Sequence, residues 1–251
     1  MILDEIIRRT QKRVERLPAT FPEQMGCTHA SLADAICSAR QKNPVIAEIK
    51  CASPSGGIIR RNVDMAMMAG VLVDGGCVGL SVLTEPYFFG GSGADIARVK
   101  AAVSVPVLRK DFVVDMRQID ETRALGADAV LLIAAVLGDR LPEFVDAAYG
   151  AGLEPLVEVH NTGEVDCALA TRAHLIGINN RNLATMSVDR STTRILSEKV
   201  RADHRIIVSE SGMRSADDVR EMRPYCDAFL IGSSLMAHQA PGKKLEEFVC
   251  A

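Results

Sequence analysis

With 251 residues, of which 48% are hydrophobic and 24% charged, the chain can bury a large core and lacks the composition of disordered, collagen-like or low-complexity proteins. Its formal net charge is −3, and its basic residues form no block longer than pairs such as Arg8 and Arg9, which argues against nucleic-acid and membrane partners. Aromatic residues make up only 4% and tryptophan is absent, so we expect an aliphatic core of the kind found in α/β proteins.

Neither export nor membrane insertion is expected. The longest uncharged apolar run covers residues 129–138, half of the ~20 residues that cross a bilayer. The opening segment, MILDEIIRRTQKR, carries acidic residues inside its apolar pattern, unlike a secretory signal. We therefore expect a cytoplasmic protein.

The cysteines are seven in number, and no two of them form a Cys-x-x-Cys pair. Together with the scattered histidines, this spacing argues against a disulfide framework and a zinc site, so we expect no metal ion and no other cofactor. Most of the cysteines are expected to be buried as small apolar side chains. They occupy positions 27, 37, 51, 77, 167, 226 and 250.

The periodicity of apolar residues predicts a regular succession of elements. Two amphipathic patterns open the chain and predict helices at 3–16 and 31–40. Short apolar runs then predict eight strands, at 44–50, 79–83, 107–110, 129–133, 155–159, 175–179, 206–209 and 228–231. Helices are predicted between and after them at 63–74, 94–102, 116–125, 141–151, 163–170, 191–199, 216–222 and near Leu245, several ending at a glycine.

Strict alternation of strand and helix requires parallel strands joined by helical crossovers. Eight such units in one chain of this length fit a closed (β/α)8 TIM barrel at 44–251, preceded by a helical extension at 1–43, within one domain of residues 1–251. The alternative is a doubly wound open sheet, which the lack of a G-x-G-x-x-G motif after the first strand weakens. The first helix of the extension is interpreted either as a cap over the lower end of the barrel or as a lid near the ligand.

Polar residues interrupt the apolar runs where the strands end, and a barrel builds its active site at those carboxyl ends. Glu48 and Lys50 are two residues apart and face the same side, while Ala47 and Ile49 face the helices. Any one of these residues could be a solvated loop residue or a salt-bridge partner, but together they predict one charged rim with shifted pKa values. The set comprises Glu48, Lys50, Lys110, Glu158, Asn179, Arg181 and Glu210.

Three glycine- and serine-rich segments are candidates for binding phosphate. Residues 209–213, SESGM, follow the seventh strand, and residues 231–236, IGSSLM, follow the eighth. Barrels commonly bind a phosphate at this place through backbone N–H groups and the start of a short extra helix. A third segment, SPSGG at 53–57, follows the first strand and could approach the same ligand.

At these same positions the sequence resembles indole-3-glycerol-phosphate synthase. The resemblance covers nearly the whole chain and rests most specifically on AEIK with SPS, on LRKDF, on INNRNL and on SESG. It implies a carboxy-lyase of L-tryptophan biosynthesis that converts 1-(2-carboxyphenylamino)-1-deoxyribulose 5-phosphate to indole-3-glycerol phosphate, CO2 and water. The expected ligand is this phosphorylated small molecule, and other tryptophan-pathway enzymes are candidate partners.

The resemblance also implies residue roles. Lys110 would be the general acid and Glu158 a base or cation-stabilising group beside it. Lys50 would engage the substrate carboxylate and could also serve as the second acid, with Glu48 positioning it. The remaining implied residues complete the polar ring (Glu210), orient the substrate (Asn179 and Arg181), hold its aromatic ring (Phe112 and Leu131) and bind its phosphate (Ser53, Ser211, Gly212, Gly232 and Ser233).

The chain departs from the family pattern at two positions. Many members carry a lysine where this sequence has Gly56 and a basic residue where it has Cys51, and losing positive charge there could weaken substrate affinity. Two other functions stay open: another phosphosugar barrel, isomerase-like or thiazole-synthase-like, and a catalytically silent ligand-binding barrel. The LRKDF and AEIK segments argue against an isomerase, which needs no such pair of lysines.

Overall fold

The computed structural model describes residues 2–21, 30–39, 42–54 and 56–251. Eight parallel strands close into a barrel in which each strand pairs with the next in chain order and the last pairs with the first. The strands are β1 Val45–Ile49, β2 Gly79–Leu83, β3 Val107–Lys110, β4 Ala129–Ile133, β5 Glu154–Val159, β6 Leu175–Asn179, β7 Ile206–Glu210 and β8 Ala228–Ile231. The predicted (β/α)8 barrel is confirmed, and the open-sheet alternative is wrong because the sheet closes.

Helices surround the barrel and connect its strands. None of those in the described ranges is long and apolar enough to cross a membrane. They are α1 Ile2–Val14, α2 Leu32–Ser38, α3 Met65–Asp74, α4 Ala94–Lys100, α5 Arg117–Ala124, α6 Ala134–Leu137, α7 Leu141–Gly150, α8 Thr162–Leu169, α9 Ser191–Ala202, α10 Ala216–Met222, α11 Ser233–Met236 and α12 Pro241–Val249.

The structure adds three local features that periodicity did not predict. Two short strands of two residues each, Ala52–Ser53 and Gly57–Ile58, pair antiparallel directly after β1. The apolar run of β4 continues into the short helix α6, and α9 extends to Ala202. A continuous apolar run does not distinguish a buried strand from a short buried helix, because neither needs a polar face.

Most described cysteines are not buried, so the expectation that most cysteines are buried apolar side chains is wrong. Among the described cysteines, only Cys77 and Cys226 are buried, and both belong to the apolar cluster between the barrel and the helices. The exposed ones sit on surface helices or at a helix end, where a small side chain is tolerated in solvent. They are Cys37 in α2, Cys167 in α8 and Cys250 after α12, while Cys51 is half-buried and Cys27 lies outside the described residues.

Alternate residues of each strand face opposite sides of the barrel wall. Ala47 and Ile49 of β1 pack outward under the helices, and Ile46 packs inside, as the parity of β1 predicts. Aliphatic side chains such as Leu108 and Leu156 fill the interior below the carboxyl ends of the strands. The next inward position along these strands is Lys110 on β3 and Glu158 on β5, so the aliphatic filling is followed by a charged layer.

The two helices of the extension lie at opposite ends of the barrel. In α1, Ile2, Leu3 and Ile6 line the cavity at the carboxyl ends of the strands, so the interpretation of the first helix as a lid near the ligand fits its position. In α2, Leu32 is fully buried, and its backbone N–H donates to Glu154, the first residue of β5. The cap over the lower end is therefore α2, and the cap interpretation is wrong for α1.

Candidate functional site

A cavity of about 850 Å³ opens at the carboxyl ends of the strands, within the range of small-molecule sites. All fourteen residues that the sequence and the resemblance singled out for the site line it. They are Glu48, Lys50, Ser53, Lys110, Phe112, Leu131, Glu158, Asn179, Arg181, Glu210, Ser211, Gly212, Gly232 and Ser233. No described group of three His, Cys, Asp or Glu side chains is close enough to hold a metal ion.

Four charged side chains come from alternate strands and form one layer across the barrel: Glu48 on β1, Lys110 on β3, Glu158 on β5 and Glu210 on β7. Lys110 Nζ lies 3.1 Å from Glu158 Oε2 and 2.8 Å from Glu210 Oε2. The Glu158 and Glu210 side chains are only 3% and 2% exposed. One ammonium group therefore serves two buried carboxylates.

Because Glu158 and Glu210 share Lys110, the pKa values of the three side chains shift in different directions. Burial opposes the charge of Lys110, but Glu158, Glu210 and Glu48 outweigh burial and raise its pKa, so Lys110 is protonated at neutral pH. Burial also works against the ionised form of Glu158, yet Lys110 and His160 hold its pKa below the usual range. Burial, reinforced by the negative charge of Glu158, raises the pKa of Glu210 to about 7 despite its contact with Lys110.

Two glycines make room for the carboxylates of this layer. A Cβ atom on Gly177 of β6 would lie 2.2 Å from Glu210 Oε1, and one on Gly232 would lie 2.3 Å from Glu48 Oε1. Both distances are far below van der Waals contact, so any side chain at these positions would displace a carboxylate. The glycines thus permit two large charged groups to share the interior of the barrel.

Lys50 lies above the charged layer, next to Glu48. Its Nζ is 2.7 Å from Glu48 Oε1, and the two side chains are 12% and 4% exposed. Lys50 follows the last residue of β1 at the cavity wall. The cavity therefore presents two ammonium groups, Lys50 and Lys110, each anchored by buried carboxylates.

Asn179 and Ser211 connect the ends of β6 and β7. Asn179 Oδ1 accepts hydrogen bonds from the Arg181 backbone N–H at 3.0 Å and from Ser211 Oγ at 2.9 Å. The Arg181 guanidinium donates to the Met186 carbonyl at 3.0 Å, which holds this cation at the cavity wall. These contacts fix a polar edge of the cavity at the ends of β6 and β7.

The candidate phosphate-binding segments meet on one side of the cavity. Ser211 and Gly212 have φ values of +66° and +94°, a left-handed turn that directs backbone toward the cavity wall. Gly232 precedes α11, whose first residue is Ser233. Ser53 also lines this cavity, and its Oγ accepts the Gly56 N–H at 3.1 Å. Ser55 of the same segment lies outside the described residues.

An apolar wall lies across the cavity. The rings of Phe89 and Phe112 are 6.1 Å apart, and Leu131 and Ile133 of β4 adjoin this part of the lining. Such a surface suits a flat aromatic ring, with Lys110 of the charged layer beside it.

Sequence reasoning missed several residues at the site. His160 lies behind Glu158, with Nε2 3.3 Å from Glu158 Oε1, and the spacing Glu-x-His after a strand is the signal that could have identified it. Arg190 and Arg194 line the cavity and pair with Glu221. They belong to the start of α9, beyond a loop, so a rule about strand ends does not select them.

Comparison with known proteins gives consistent matches. A family model described as indole-3-glycerol phosphate synthase matches residues 3–248. An indole-3-glycerol phosphate synthase of Bordetella pertussis is 47% identical over 210 residues, covering 83% of this chain and 80% of that protein. One from Methanocaldococcus jannaschii is 39% identical over 264 residues, covering 99% of this chain and 98% of that protein. Tryptophan synthase from M. tuberculosis superposes with a TM-score of 0.63 at 15% identity, over 88% of this chain and 99% of that chain, a likeness of fold alone.

Proposed function

The chain belongs to the indole-3-glycerol phosphate synthase family, and we propose that the charged layer around Lys110 carries out the family's reaction. The reaction is the decarboxylating ring closure of 1-(2-carboxyphenylamino)-1-deoxyribulose 5-phosphate to indole-3-glycerol phosphate, a carboxy-lyase step of L-tryptophan biosynthesis. Family membership favours this reaction over an isomerase-like or thiazole-synthase-like one. The roles below are assigned to residues of this chain.

The charges of the cavity match those of the substrate. The substrate carries a carboxylate and a phosphate, whereas the protein has a net charge of −3. Lys50, Lys110 and Arg181 supply cations at the cavity wall. We propose that Lys50 binds the substrate carboxylate and that Asn179 and Arg181 orient the sugar moiety.

Ring closure requires acid catalysis. The aromatic carbon that bears the carboxylate attacks the ketone carbon, and a proton must reach the ketone oxygen as negative charge develops there. Lys110 is assigned as the donor, because its pKa is raised and it holds a proton at neutral pH. Glu158, which stays ionised beside Lys110, stabilises the positive charge that forms on the ring, and Glu210 completes the polar ring around Lys110.

Two losses complete the reaction. CO2 departs, and the electrons of the broken C–C bond restore the aromatic ring. The new hydroxyl then leaves as water with a proton from Lys50, or from Lys110 after solvent has reprotonated it, while a base removes a proton from the neighbouring CH2 group to form the double bond. Glu158 is assigned as that base, because its low pKa keeps it ionised.

The phosphate and the aromatic ring occupy opposite sides of the cavity in this proposal. Ser53, Ser211, Gly212, Gly232 and Ser233 bind the phosphate through hydroxyl and backbone N–H groups. The aromatic ring lies against Phe112 and Leu131, near Phe89. The two ends of the substrate are thereby fixed, with the ketone between them, close to Lys110.

The observation that carries the proposal is the position of Lys110 between two buried carboxylates at the cavity wall. The test is to incubate the purified protein with the substrate and follow indole fluorescence, which has no background from protein indoles because the chain lacks tryptophan. Lys110→Ala should lower turnover by about 10²-fold or more, as expected for a removed general acid. Lys199→Ala, which removes a surface lysine paired with Asp166, is the matched control and should turn over normally. Near-normal turnover of Lys110→Ala would refute the assignment, and absence of product from the unaltered protein would favour a silent barrel.

Location and partners are part of the same proposal. We propose a cytoplasmic enzyme whose ligand is the phosphorylated metabolite. Contact with other enzymes of tryptophan biosynthesis stays a prediction, to be tested by co-sedimentation of the purified proteins.

A further inference from the structure

His160 and Glu164 form a chain of charged contacts behind Glu158. His160 Nδ1 lies 2.9 Å from Glu164 Oε2, and its Nε2 lies 3.3 Å from Glu158 Oε1, an ion-pair contact without a hydrogen bond. The His160 side chain is 11% exposed, and His160 is not among the residues that line the cavity. The ring therefore contacts the proposed base on the side away from the substrate.

The start of α8 holds this ring in place. His160 follows β5 directly, and Asn161 caps α8 by accepting the Glu164 N–H at 3.0 Å. Glu164 in turn accepts hydrogen bonds from the His160 backbone N–H at 2.8 Å and from Asn161 Nδ2 at 2.6 Å. The carboxylate of Glu164 is thus fixed by the helix terminus, and the imidazole is fixed by the carboxylate.

The charges around the imidazole favour its protonated form. Glu158 faces it from β5 and Glu164 from α8, while Lys110 of β3 and Glu210 of β7 lie beyond Glu158. Burial lowers the pKa of His160, but the two carboxylates outweigh burial and raise it to about 10. Glu158 consequently lies between two cations, His160 and Lys110.

Among the described residues, no second cation contacts Glu210. Its Oε2 contacts Lys110, whereas its Oε1 is buried and accepts no hydrogen bond from the described residues. Two buried carboxylates that share one lysine compete for the ionised state, because each disfavours the charge of the other. The carboxylate with the additional cation keeps the charge, and the other carboxylate takes up the proton more readily.

We propose that His160, held by Glu164, is a positioning residue that fixes the orientation and the ionised state of Glu158. The inference rests on the proposed role of Glu158 as base. According to this inference, His160 determines which of the two carboxylates, Glu158 or Glu210, is ionised when the substrate is bound. His160 itself does not touch the substrate.

The test is the pH dependence of turnover in His160→Gln, with Glu164→Gln as a second variant. Without the imidazolium, Glu158 should bind a proton at higher pH, so the acidic limb of kcat should move up by about one unit, and kcat at a fixed pH on that limb should fall about tenfold. At pH 9 the variant should recover most of its turnover, since Glu158 is ionised there without help. KM should change little, because His160 does not line the cavity. Glu164→Gln, which weakens the hold on the ring, should give a smaller shift in the same direction.

His174→Gln is the matched control, because His174 is exposed beside the amino end of β6 and should leave the profile unchanged. An acidic limb of His160→Gln that coincides with that of the unaltered protein would overturn the proposal. So would a loss of turnover that is equal at all pH values, since that outcome indicates a structural role only. Thermal unfolding of each variant shows whether it folds. If His160→Gln does not fold, the pH profile of Glu164→Gln tests the proposal instead. If the unaltered protein forms no indole product, the proposed function fails instead.

Discussion

Replacing Gly177 by alanine should displace Glu210 and slow turnover without removing any charged group. The added Cβ would lie 2.2 Å from Glu210 Oε1 and 3.3 Å from its Cδ. Ordinary contact begins at 3.4 Å, so the carboxylate oxygen must retreat by about 1.2 Å. Glu210 Oε2 is only 2.8 Å from Lys110 Nζ, and such a retreat breaks or reorients this contact.

The expected cost follows from the geometry. A misplacement of about 1 Å at a reacting group costs roughly 10²-fold in rate, which corresponds to about 2.7 kcal/mol in the activation free energy. We therefore expect kcat of Gly177→Ala to fall by about 10²-fold. Because overpacking a filled interior also destabilises by about 1–3 kcal/mol, thermal unfolding must accompany the rate measurement.

The assay is the initial rate of indole-3-glycerol phosphate formation, followed by fluorescence. Gly70→Ala is the control, because Gly70 lies within α3 and a Cβ there meets nothing within 4 Å. The decisive comparison is made in the Glu210→Ala background, where Oε1 is absent and Gly177→Ala should cause little further loss. If Gly177→Ala lowers kcat by the same factor in both backgrounds, displacement of Glu210 is not the cause and the reasoning is refuted.

Three further predictions concern the extension and the buried histidine. Arg13→Ala removes the 2.8 Å contact with Asp111 that holds α1 beside the cavity. KM should therefore rise by about tenfold while kcat changes less. A KM equal to that of the unaltered protein would contradict this prediction. Leu32→Ala leaves a cavity under the barrel and should lower the free energy of unfolding by about 3 kcal/mol, measured in urea, with KM unchanged. The pKa of His160 is about 10 in the folded protein against an ordinary 6.5, so its contribution to stability is complete below pH 6.5 and is lost as the pH rises through 10. Between pH 6 and 10, the free energy of unfolding measured in urea should decline less for His160→Gln than for the unaltered protein. Parallel declines would argue against the ion pairs of His160 with Glu158 and Glu164.

Local patterns were enough to predict the barrel. The strands are continuous apolar runs bounded by turns, so their positions agree with the structure within about two residues, as at β3 and β8. Parallel strands place their carboxyl ends at one rim, and the parity of a strand determines which residues face inward. For this reason Lys110, Glu158 and Glu210 could be expected together before any distance was known.

The sequence by itself thus determined the fold class, the strands and the set of charged residues that line the cavity, because these follow from periodicity and from a general property of barrels. Only the tertiary structure decided that α1 lies at the cavity and α2 at the opposite end, since both are amphipathic and either could cover an apolar surface. The tertiary structure also decided how protons are distributed. Lys110 serves two carboxylates, and the contact of Glu158 with His160 depends on how α8 begins, so the difference between Glu158 and Glu210 arises from distances of a few ångströms that no sequence pattern encodes.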